Sequence, residues 1–289
     1  MSSVFRFAPS PNGYLHLGHA LSALDGFGKA EASGGRFLLR IEDIDTARCR
    51  EEFVSAIFED LAWLGLSWET PVLRQSEHFG RYGVAASKLS EMGFLYPCFA
   101  TRREIAEAAA QSPFGTDPDG APLYPGLHKG LGKSEIESRL QSGDAFALRL
   151  DMDKALDRAR EVLGGQPLTF SETHPDGTTE TIQARPDVWG DAVIVRKDTP
   201  TSYHLAVVVD DAALGVTHVT RGRDLYAATG LHRLLQVLLQ LPEPRYAHHR
   251  LLLDADGRKL AKSAGDTSLR DLRCRGTKPD VIKRMLQLA

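Results

Sequence analysis

The sequence predicts an α/β protein with a doubly wound parallel sheet, and three observations lead to this prediction. The chain begins with a short apolar strand at 4–7, a loop rich in proline and glycine, and a helix whose apolar residues begin at Leu17. Apolar strands and amphipathic helices then alternate over the first hundred residues. A second group of apolar strands, followed by the most apolar helix, comes after residue 190. We therefore expect one sheet in two halves, with an insertion between them.

Composition and charge exclude several classes of protein. The 289 residues include 35 basic and 38 acidic side chains, a net charge of -3, so an RNA partner would have to meet a local basic patch. No signal peptide and no apolar run of about eighteen residues is present, and we expect no membrane partner. Three cysteines, odd in number and far apart, are typical of a reducing compartment, and a cytoplasmic protein is expected.

The first half of the sheet is assigned to residues 1–97. After the first helix, Phe37–Ile41 is predicted to be a buried strand, and an acidic cluster at 42–45 follows at its carboxyl end. Apolar residues at helical spacing predict helices over 53–64 and 82–92, each ending at a glycine.

Residues 98–186 are predicted to form a connective α/β insertion. Prolines and glycines crowd the stretch 113–132, which predicts loops there. A helix at 134–141 and a short strand at 145–150 are expected, followed by a polar stretch to Glu180.

The second half of the sheet is assigned to 187–241. It is predicted to contain three strands, at Val193–Arg196, Tyr203–Asp211 and Thr217–Arg221. A leucine-rich helix at 231–239 follows and stops before Pro242. The remaining segment, 242–289, is predicted to hold a lysine-rich loop and a helix at 279–288.

The strand-to-helix junction at 6–19 (RFAPSPNGYLHLGH) is a candidate phosphate site. A helix that begins at the carboxyl edge of a parallel sheet directs free amides and a partial positive charge at an anion. His16 and His19 lie three residues apart on the first turn and can donate hydrogen bonds to phosphoryl oxygens. Taken alone, the two histidines suit packing or capping equally well.

Charged residues at other strand ends suit an amino acid substrate. Arg6 and Arg221 offer planar guanidinium groups for carboxylates, and Glu42 offers a carboxylate for an ammonium group. By themselves Glu42 fits a solvated strand end, Tyr203 fits the core, and Lys259 and Lys262 fit surface charge. The pair His248 and His249 is interpreted as a polar surface feature without chemistry, and the three tryptophans are interpreted as packing residues.

Two separated segments resemble the signatures of class I aminoacyl-tRNA synthetases. The segment 9–19 (PSPNGYLHLGH) resembles the HIGH signature, and 259–263 (KLAKS) resembles the KMSKS signature. Segments 6–10, 40–45, 203–211 and 217–222 resemble the glutamyl branch of this class. The resemblance covers nearly the whole chain and implies a Rossmann-like fold split by an insertion.

Within the glutamyl branch, the chain resembles shortened paralogues. Only 26 residues (264–289) follow Ser263, so we expect no anticodon-binding domain. Val207 stands where glutamyl-tRNA synthetases usually have asparagine, and 221–225 (RGRDL) is similar to the shortened paralogues. The resemblance implies a tRNA-modifying ligase that activates L-glutamate with ATP and Mg²⁺, and then esterifies the glutamate onto queuosine at the wobble position of tRNA(Asp). A monomer is expected.

The resemblance also implies roles for individual residues. The catalytic residues would be His16, His19 and Lys262. The glutamate contacts would come from Arg6, Ala8, Ser10, Glu42, Tyr203 and Arg221. The ATP contacts would come from Pro9, Gly18, His19, Lys259 and Lys262. Which arginine binds which carboxylate of glutamate stays open.

The insertion departs from the family at a zinc site. Members often bind zinc through Cys-x-Cys and Tyr-x-x-x-Cys, and here the corresponding positions are Cys98, Ala100, Tyr124 and His128. Alanine has no ligating atom, so at most three of four ligands remain, and we expect no stoichiometric Zn²⁺.

Two alternatives to the queuosine-modifying function stay open. A minimal glutamyl-tRNA synthetase would charge tRNA(Glu) at its 3′ end. A non-catalytic paralogue would only bind tRNA or an amino acid, although retention of both histidines and both lysines argues against it.

Overall fold

A computed structural model describes residues 2–111, 115–252 and 267–288. Its strands are β1 (Val4–Phe7), β2 (Arg36–Ile41), β3 (Glu69–Arg74), β4 (Leu95–Cys98), β5 (Ala147–Leu150), β6 (Thr169–Thr173), β7 (Thr179–Gln183), β8 (Val193–Val195), β9 (His218–Gly222) and β10 (Arg245–His249). Its helices are α1 (Leu17–Ala32), α2 (Glu51–Trp63), α3 (Phe79–Glu91), α4 (Arg102–Gln111), α5 (Lys133–Gln141), α6 (Met152–Val162), α7 (Tyr203–Ala213), α8 (Ala228–Leu239), α9 (Leu269–Cys274) and α10 (Pro279–Met285). Among the described residues, none of these helices combines the length and apolar character needed to cross a bilayer.

The larger sheet has seven strands in the order β3-β2-β1-β9-β10-β6-β7. All neighbours pair in parallel except β6 and β7. The chain proceeds from β1 outward to β2 and β3, and later returns to the other side of β1 as β9. This reversal of strand order confirms the predicted doubly wound sheet, and it opens a crevice at the carboxyl ends of β1 and β9.

The smaller sheet is antiparallel and joins β4, β5 and β8. The segment 193–196 was expected in the larger sheet, and this expectation is wrong because β8 pairs with β5. Conversely, β6 and β7 come from the segment 98–186 and extend the larger sheet beside β10. Segment 98–186 therefore contributes strands to both sheets.

The predicted strand at 203–211 is wrong, because these residues form helix α7. The Ser202 side chain accepts a hydrogen bond from the backbone N–H of Leu205 and caps the first turn. Residues 205–211 are all buried, between α3 and α8. A helix buried on every side has no polar face, so its apolar run matches that of a buried strand.

Buried apolar residues form separate clusters, and those of the larger sheet lie on both of its faces. On one face, Phe5 and other residues of β1 and β2 pack with α1, α2, α9 and α10, including Leu269 and Ile282. On the other face, Val4 packs with apolar residues of β2, β6, β9 and β10. A further cluster joins α3, α6, α7 and α8 with residues of the smaller sheet. Helix α7 packs against α3 and α8, and side chains from both of its ends contribute to the candidate site.

Candidate active site

A cavity of about 780 Å³ opens at the carboxyl ends of β1 and β9. Ten of the twelve side chains assigned to substrate contacts line it: Arg6, Ala8, Pro9, Ser10, His16, Gly18, His19, Glu42, Tyr203 and Arg221. Lys259 and Lys262 lie outside the described residues. The preceding residues Leu251 and Leu252 line the cavity.

His16 and His19 form the start of α1 as well as part of the cavity wall. The Nδ1 of His16 accepts a hydrogen bond from the N–H of Gly18 at 3.0 Å, and the Nδ1 of His19 accepts one from the N–H of His16 at 3.2 Å. In a neutral imidazole whose Nδ1 accepts, the proton lies on Nε2. Both rings therefore have an Nε2–H donor that is separate from the helix cap.

Gly18 is required by the close approach of the His16 ring. A Cβ at this position would lie 2.9 Å from Cε1 of His16. Any other residue at position 18 would displace the imidazole that caps the helix.

A buried network of four charges connects Arg6 and Glu42. Asp211, on α7, accepts hydrogen bonds from Nε and Nη2 of Arg6 at 3.2 and 3.3 Å. It also accepts one from Nη1 of Arg40 at 2.5 Å, and Nη2 of Arg40 donates to Glu42 at 2.9 Å. Arg40 is fully buried. Burial raises the pKa of Glu42, and the Arg40 charge opposes this shift.

Arg221 has surroundings of a different kind. It is 4% exposed, and the partners of its guanidinium among the described residues are neutral. Nε donates to Nε2 of His248 at 3.1 Å, and Nη2 donates to the hydroxyl of Thr229 at 2.8 Å. Nη1 lies 3.3 Å from Nδ1 of His232. Within the described ranges, no carboxylate lies within ion-pair distance of Arg221.

Two buried histidines, His232 and His248, contact this guanidinium, and the half-buried His204 contacts His232 with its Nδ1 3.2 Å from Nε2 of that ring. Burial lowers the pKa of His204 to about 4, and it lowers the pKa of His232 well below the ordinary value. Burial also lowers the pKa of His248, although Glu172 opposes this effect. The rings are therefore neutral at pH 7, and the positive charge of Arg221 is not neutralised by the side chains that hold it.

Tyr203 and the backbone after β1 complete the wall. The Tyr203 ring lies 5.6 Å from the ring of His232, and burial raises the pKa of its hydroxyl. Pro9 accepts a hydrogen bond through its carbonyl from the N–H of Glu42 at 3.0 Å. This bond holds the loop of residues 8–10 beside the acidic end of β2.

Two histidines of β10 belong to the site although the sequence did not indicate this. The interpretation of His248 and His249 as surface residues is wrong, because His248 is buried and His249 lines the cavity. Nε2 of His249 lies 2.5 Å from the hydroxyl of Ser22 on α1. The placement of β10 next to β9 brings both histidines to the site, and no local pattern in the sequence indicates this pairing.

The four positions of the family's zinc site also come together. The Cys98 thiol donates to the Tyr124 hydroxyl at 3.3 Å, and Nδ1 of His128 accepts from the backbone N–H groups of Phe99 and Ala100, each at 3.1 Å. Among the described residues, no group of three or more His, Cys, Asp or Glu side chains is arranged to hold a metal ion.

Comparisons with known proteins agree with the fold. The model of the family "tRNA synthetases class I (E and Q), catalytic domain" matches residues 3–288. A glutamyl-Q tRNA(Asp) synthetase of Rhodobacter capsulatus is 43% identical over 288 residues, which are 99% of this chain and 100% of that protein. A glutamate–tRNA ligase of Aquifex aeolicus is 37% identical over 284 residues, and the match covers 98% of this chain and 56% of the ligase.

A solved structure has the same fold. The glutamate–tRNA synthetase of Elizabethkingia anophelis superposes with a TM-score of 0.72 at 26% identity, covering 96% of this chain and 54% of that chain. The chain thus spans about half the length of this synthetase. From the family match over residues 3–288 and the relatives that it resembles along its whole length, we conclude that the chain belongs to the class I tRNA synthetases of the glutamate and glutamine type.

Proposed function

We propose that this protein activates L-glutamate with ATP and transfers the glutamyl group to queuosine at the wobble position of tRNA(Asp). One observation carries the first half of this proposal. Arg221 is a buried cation that lines the cavity, and among the described residues its partners are neutral acceptors, so an incoming carboxylate supplies the counter-charge. The second half is supported by the full-length similarity to the Rhodobacter capsulatus protein.

Glutamate brings two carboxylates and one ammonium group, and the cavity offers a matching set of charges. In our proposal Arg6 and Arg221 bind the carboxylates, and Glu42 binds the ammonium group. Arg6 is held by Asp211 through Nε and Nη2, which leaves its Nη1 group for the substrate. Ala8, Ser10 and Tyr203 shape the wall around the amino acid.

The first step joins glutamate to ATP. An oxygen of the α-carboxylate attacks the α-phosphorus, the bond to the bridging oxygen breaks, and pyrophosphate leaves. The Nε2–H groups of His16 and His19 donate to the phosphoryl oxygens as their negative charge grows. Pro9 and Gly18 contact ATP, and we assign Lys259 and Lys262 to its phosphates. Mg²⁺ bound with ATP would supply further positive charge at the phosphates.

In the second step, a hydroxyl on the cyclopentene ring of queuosine attacks the carbonyl carbon of the glutamyl-adenylate. An ester bond forms, the bond to the phosphate oxygen breaks, and AMP leaves. Tyr203 and Leu251 line the cavity, and we assign to them the protection of the adenylate from hydrolysis.

A minimal glutamyl-tRNA synthetase is the second candidate. It is favoured by the 37% identity to the Aquifex aeolicus ligase. A non-catalytic paralogue that binds tRNA or an amino acid is the third candidate, and the paired Nε2–H donors of His16 and His19 argue against it.

The transfer of labelled glutamate separates the three candidates. The protein is incubated with ATP and with tRNA(Asp) that contains queuosine, tRNA(Asp) that lacks it, or tRNA(Glu). We expect label only on the queuosine-containing tRNA. Label on tRNA(Glu) would make the protein a charging synthetase, and the absence of both transfer and glutamate-dependent pyrophosphate exchange would favour the binding paralogue.

We also propose that the protein binds no stoichiometric zinc. Ala100 has no ligating atom, and Nδ1 of His128 already accepts two backbone hydrogen bonds. Metal analysis of protein purified without chelator should find far less than one zinc per chain. The double variant Ala100→Cys, His128→Cys restores the family pattern and should acquire zinc, and unit occupancy in the wild type would refute the proposal.

Finally, we propose that the protein is a cytoplasmic monomer. None of its three cysteines forms a disulfide bond, which suits a reducing compartment. Light scattering should give a mass near 31.7 kDa for the particle in solution, and a mass twice as large would contradict the monomer.

A further inference from the structure

A buried carboxylate–imidazole pair lies directly behind Arg221. Glu172, on β6, is 4% exposed, and its carboxylate lies 2.9 and 3.0 Å from Nδ1 of His248 on β10. The same carboxylate accepts a hydrogen bond from the backbone N–H of His248 at 2.9 Å. These contacts fix both the position and the plane of the imidazole.

The hydrogen bonds also fix where the ring carries its proton. A carboxylate can only accept, so Nδ1 of His248 must donate to Glu172. In the neutral ring, Nε2 then carries a lone pair, and this atom accepts a hydrogen bond from the Nε–H of Arg221. The opposite tautomer would place two donors against each other at 3.1 Å.

The aromatic neighbours of His248 prevent the ring from turning away. Tyr226 meets it edge to face at 5.0 Å, and Tyr246 is stacked with it at 6.2 Å between centroids. The imidazole is thus held by Glu172 at one nitrogen and by packing on its faces. Only Nε2 is directed at the guanidinium.

We propose that Glu172 and His248 are positioning residues that aim the guanidinium of Arg221 at a carboxylate of the amino acid substrate. This inference rests on the proposed function, since it assumes that Arg221 binds glutamate. Glu172 orients His248, and His248 holds Nε of Arg221, so the outward Nη groups stay in the plane needed for two parallel hydrogen bonds. Neither residue touches the substrate.

Strands β6 and β7 thereby contribute to substrate binding from outside the cavity. Glu172 reaches His248 because β6 pairs in parallel with β10, and the pairing places Glu172 beside Tyr246 in register. The hairpin of β6 and β7 lies outside the strands that carry the substrate contacts. It acts through the single carboxylate that it places behind the site.

The test is a kinetic comparison of variants in glutamate-dependent exchange of pyrophosphate into ATP, with and without tRNA. His248→Phe keeps a ring between the two tyrosines but removes the acceptor for Arg221. We expect the KM for glutamate to rise about tenfold. The KM for ATP and kcat should stay within about twofold of the wild type.

Two further variants separate positioning from packing. His248→Gln places an amide oxygen where Nε2 lies, so the KM for glutamate should stay within about threefold of the wild type. Glu172→Leu should raise this KM, and the double variant Glu172→Leu, His248→Phe should match His248→Phe alone, because Glu172 acts only through His248. If either Glu172→Leu or His248→Phe does not fold, the KM for glutamate of the other single variant tests the same inference.

The hairpin offers a matched control. His174 and Glu180 form an exposed pair with Nε2 and Oε2 3.1 Å apart, and Glu180→Leu should change neither KM. An unchanged KM for glutamate in His248→Phe, or equal rises in both KM values, would overturn the inference while leaving the proposed function intact. A wild-type protein without any glutamate-dependent exchange would instead refute the proposed function.

Discussion

We assign a separate role to each ring nitrogen of His16. Nδ1 caps helix α1 by accepting a hydrogen bond from the N–H of Gly18. Nε2 carries the proton that we assign to a phosphoryl oxygen. The sequence leaves capping and catalysis as alternatives, but the cap uses Nδ1 and is therefore compatible with the proposed donation from Nε2.

Replacing His16 by asparagine should separate these roles. The asparagine oxygen takes the place of Nδ1 and preserves the cap, so stability should stay close to the wild type. Loss of the Nε2–H donor should lower kcat for pyrophosphate exchange by about 100-fold. His16→Ala should lose both activity and about 1 kcal/mol of stability. Full activity in the stable asparagine variant would contradict the catalytic role.

Arg221→Ala tests the carboxylate site directly. Removing the buried guanidinium leaves a substrate carboxylate without a partner, and glutamate binding should weaken by about 2–5 kcal/mol. Isothermal titration with glutamate measures this loss, and Arg160→Ala, at an exposed pair on α6, is the matched control. An affinity for glutamate within about threefold of the wild type would show that Arg221 does not bind the substrate carboxylate.

At the scale of elements, α7 joins the first two strands of the sheet to the site. Asp211, near the end of this helix, is shared by Arg6 of β1 and Arg40 of β2. The carboxylate thereby fixes one proposed substrate contact directly and supports Glu42 through Arg40. A strand at 203–211, as the sequence predicted, would direct alternate side chains to opposite faces.

Asp211→Asn should therefore destabilise the protein strongly. The variant leaves two buried guanidinium groups with one carboxylate fewer, and the free energy of unfolding should fall by about 3–5 kcal/mol. Chemical denaturation followed by circular dichroism gives this value. Asp157→Asn removes a carboxylate from an exposed ion pair and should change the stability little. Equal effects of the two substitutions would argue against the buried network.

The division of the chain into 1–97, 98–186, 187–241 and 242–289 stays a prediction. Strands β6 and β7 lie within 98–186 and still belong to the larger sheet.

Glu172 lies in a polar stretch for which no structure was predicted from the sequence. The role that we propose for Glu172 in positioning Arg221 depends on pairing between segments more than seventy residues apart. Such pairing leaves no periodic signal in the sequence.

At the scale of the whole molecule, the last residues return to the first half of the chain. The N–H of Leu269 donates to the carbonyl of Leu15 at 2.7 Å, and Ile282 is buried in the cluster formed with α1 and α2. Arg273 of α9 meets the buried Asp60 of α2 at 3.2 Å. Helices α9 and α10 are thus attached to α1 and α2 of the first half.

Asp60 should make this attachment dependent on pH. Burial raises the pKa of Asp60 to about 6, against the opposing effect of Arg273. Its pKa in the folded state lies above the unfolded value of about 3.9, so its contribution to stability is present below pH 4 and is lost as the pH rises through 6.

The variant Asp60→Asn resembles the protonated form at every pH. The difference in Tm between Asp60→Asn and the wild type should be more positive at pH 7.5 than at pH 4.5. Thermal unfolding of both proteins at the two pH values measures it. A constant difference would show that Asp60 does not titrate between these values.

The doubly wound class, the strand–loop–helix junction and the family can be predicted from the sequence, because they depend on local spacing and on short motifs such as 9–19. The ten described candidate residues that line the cavity were also predicted in this way. The helical state of 203–213, the place of β6 in the larger sheet and the neutral surroundings of Arg221 become apparent only in the folded chain. These depend on burial and on contacts between distant strands, and neither is encoded in the order of neighbouring residues.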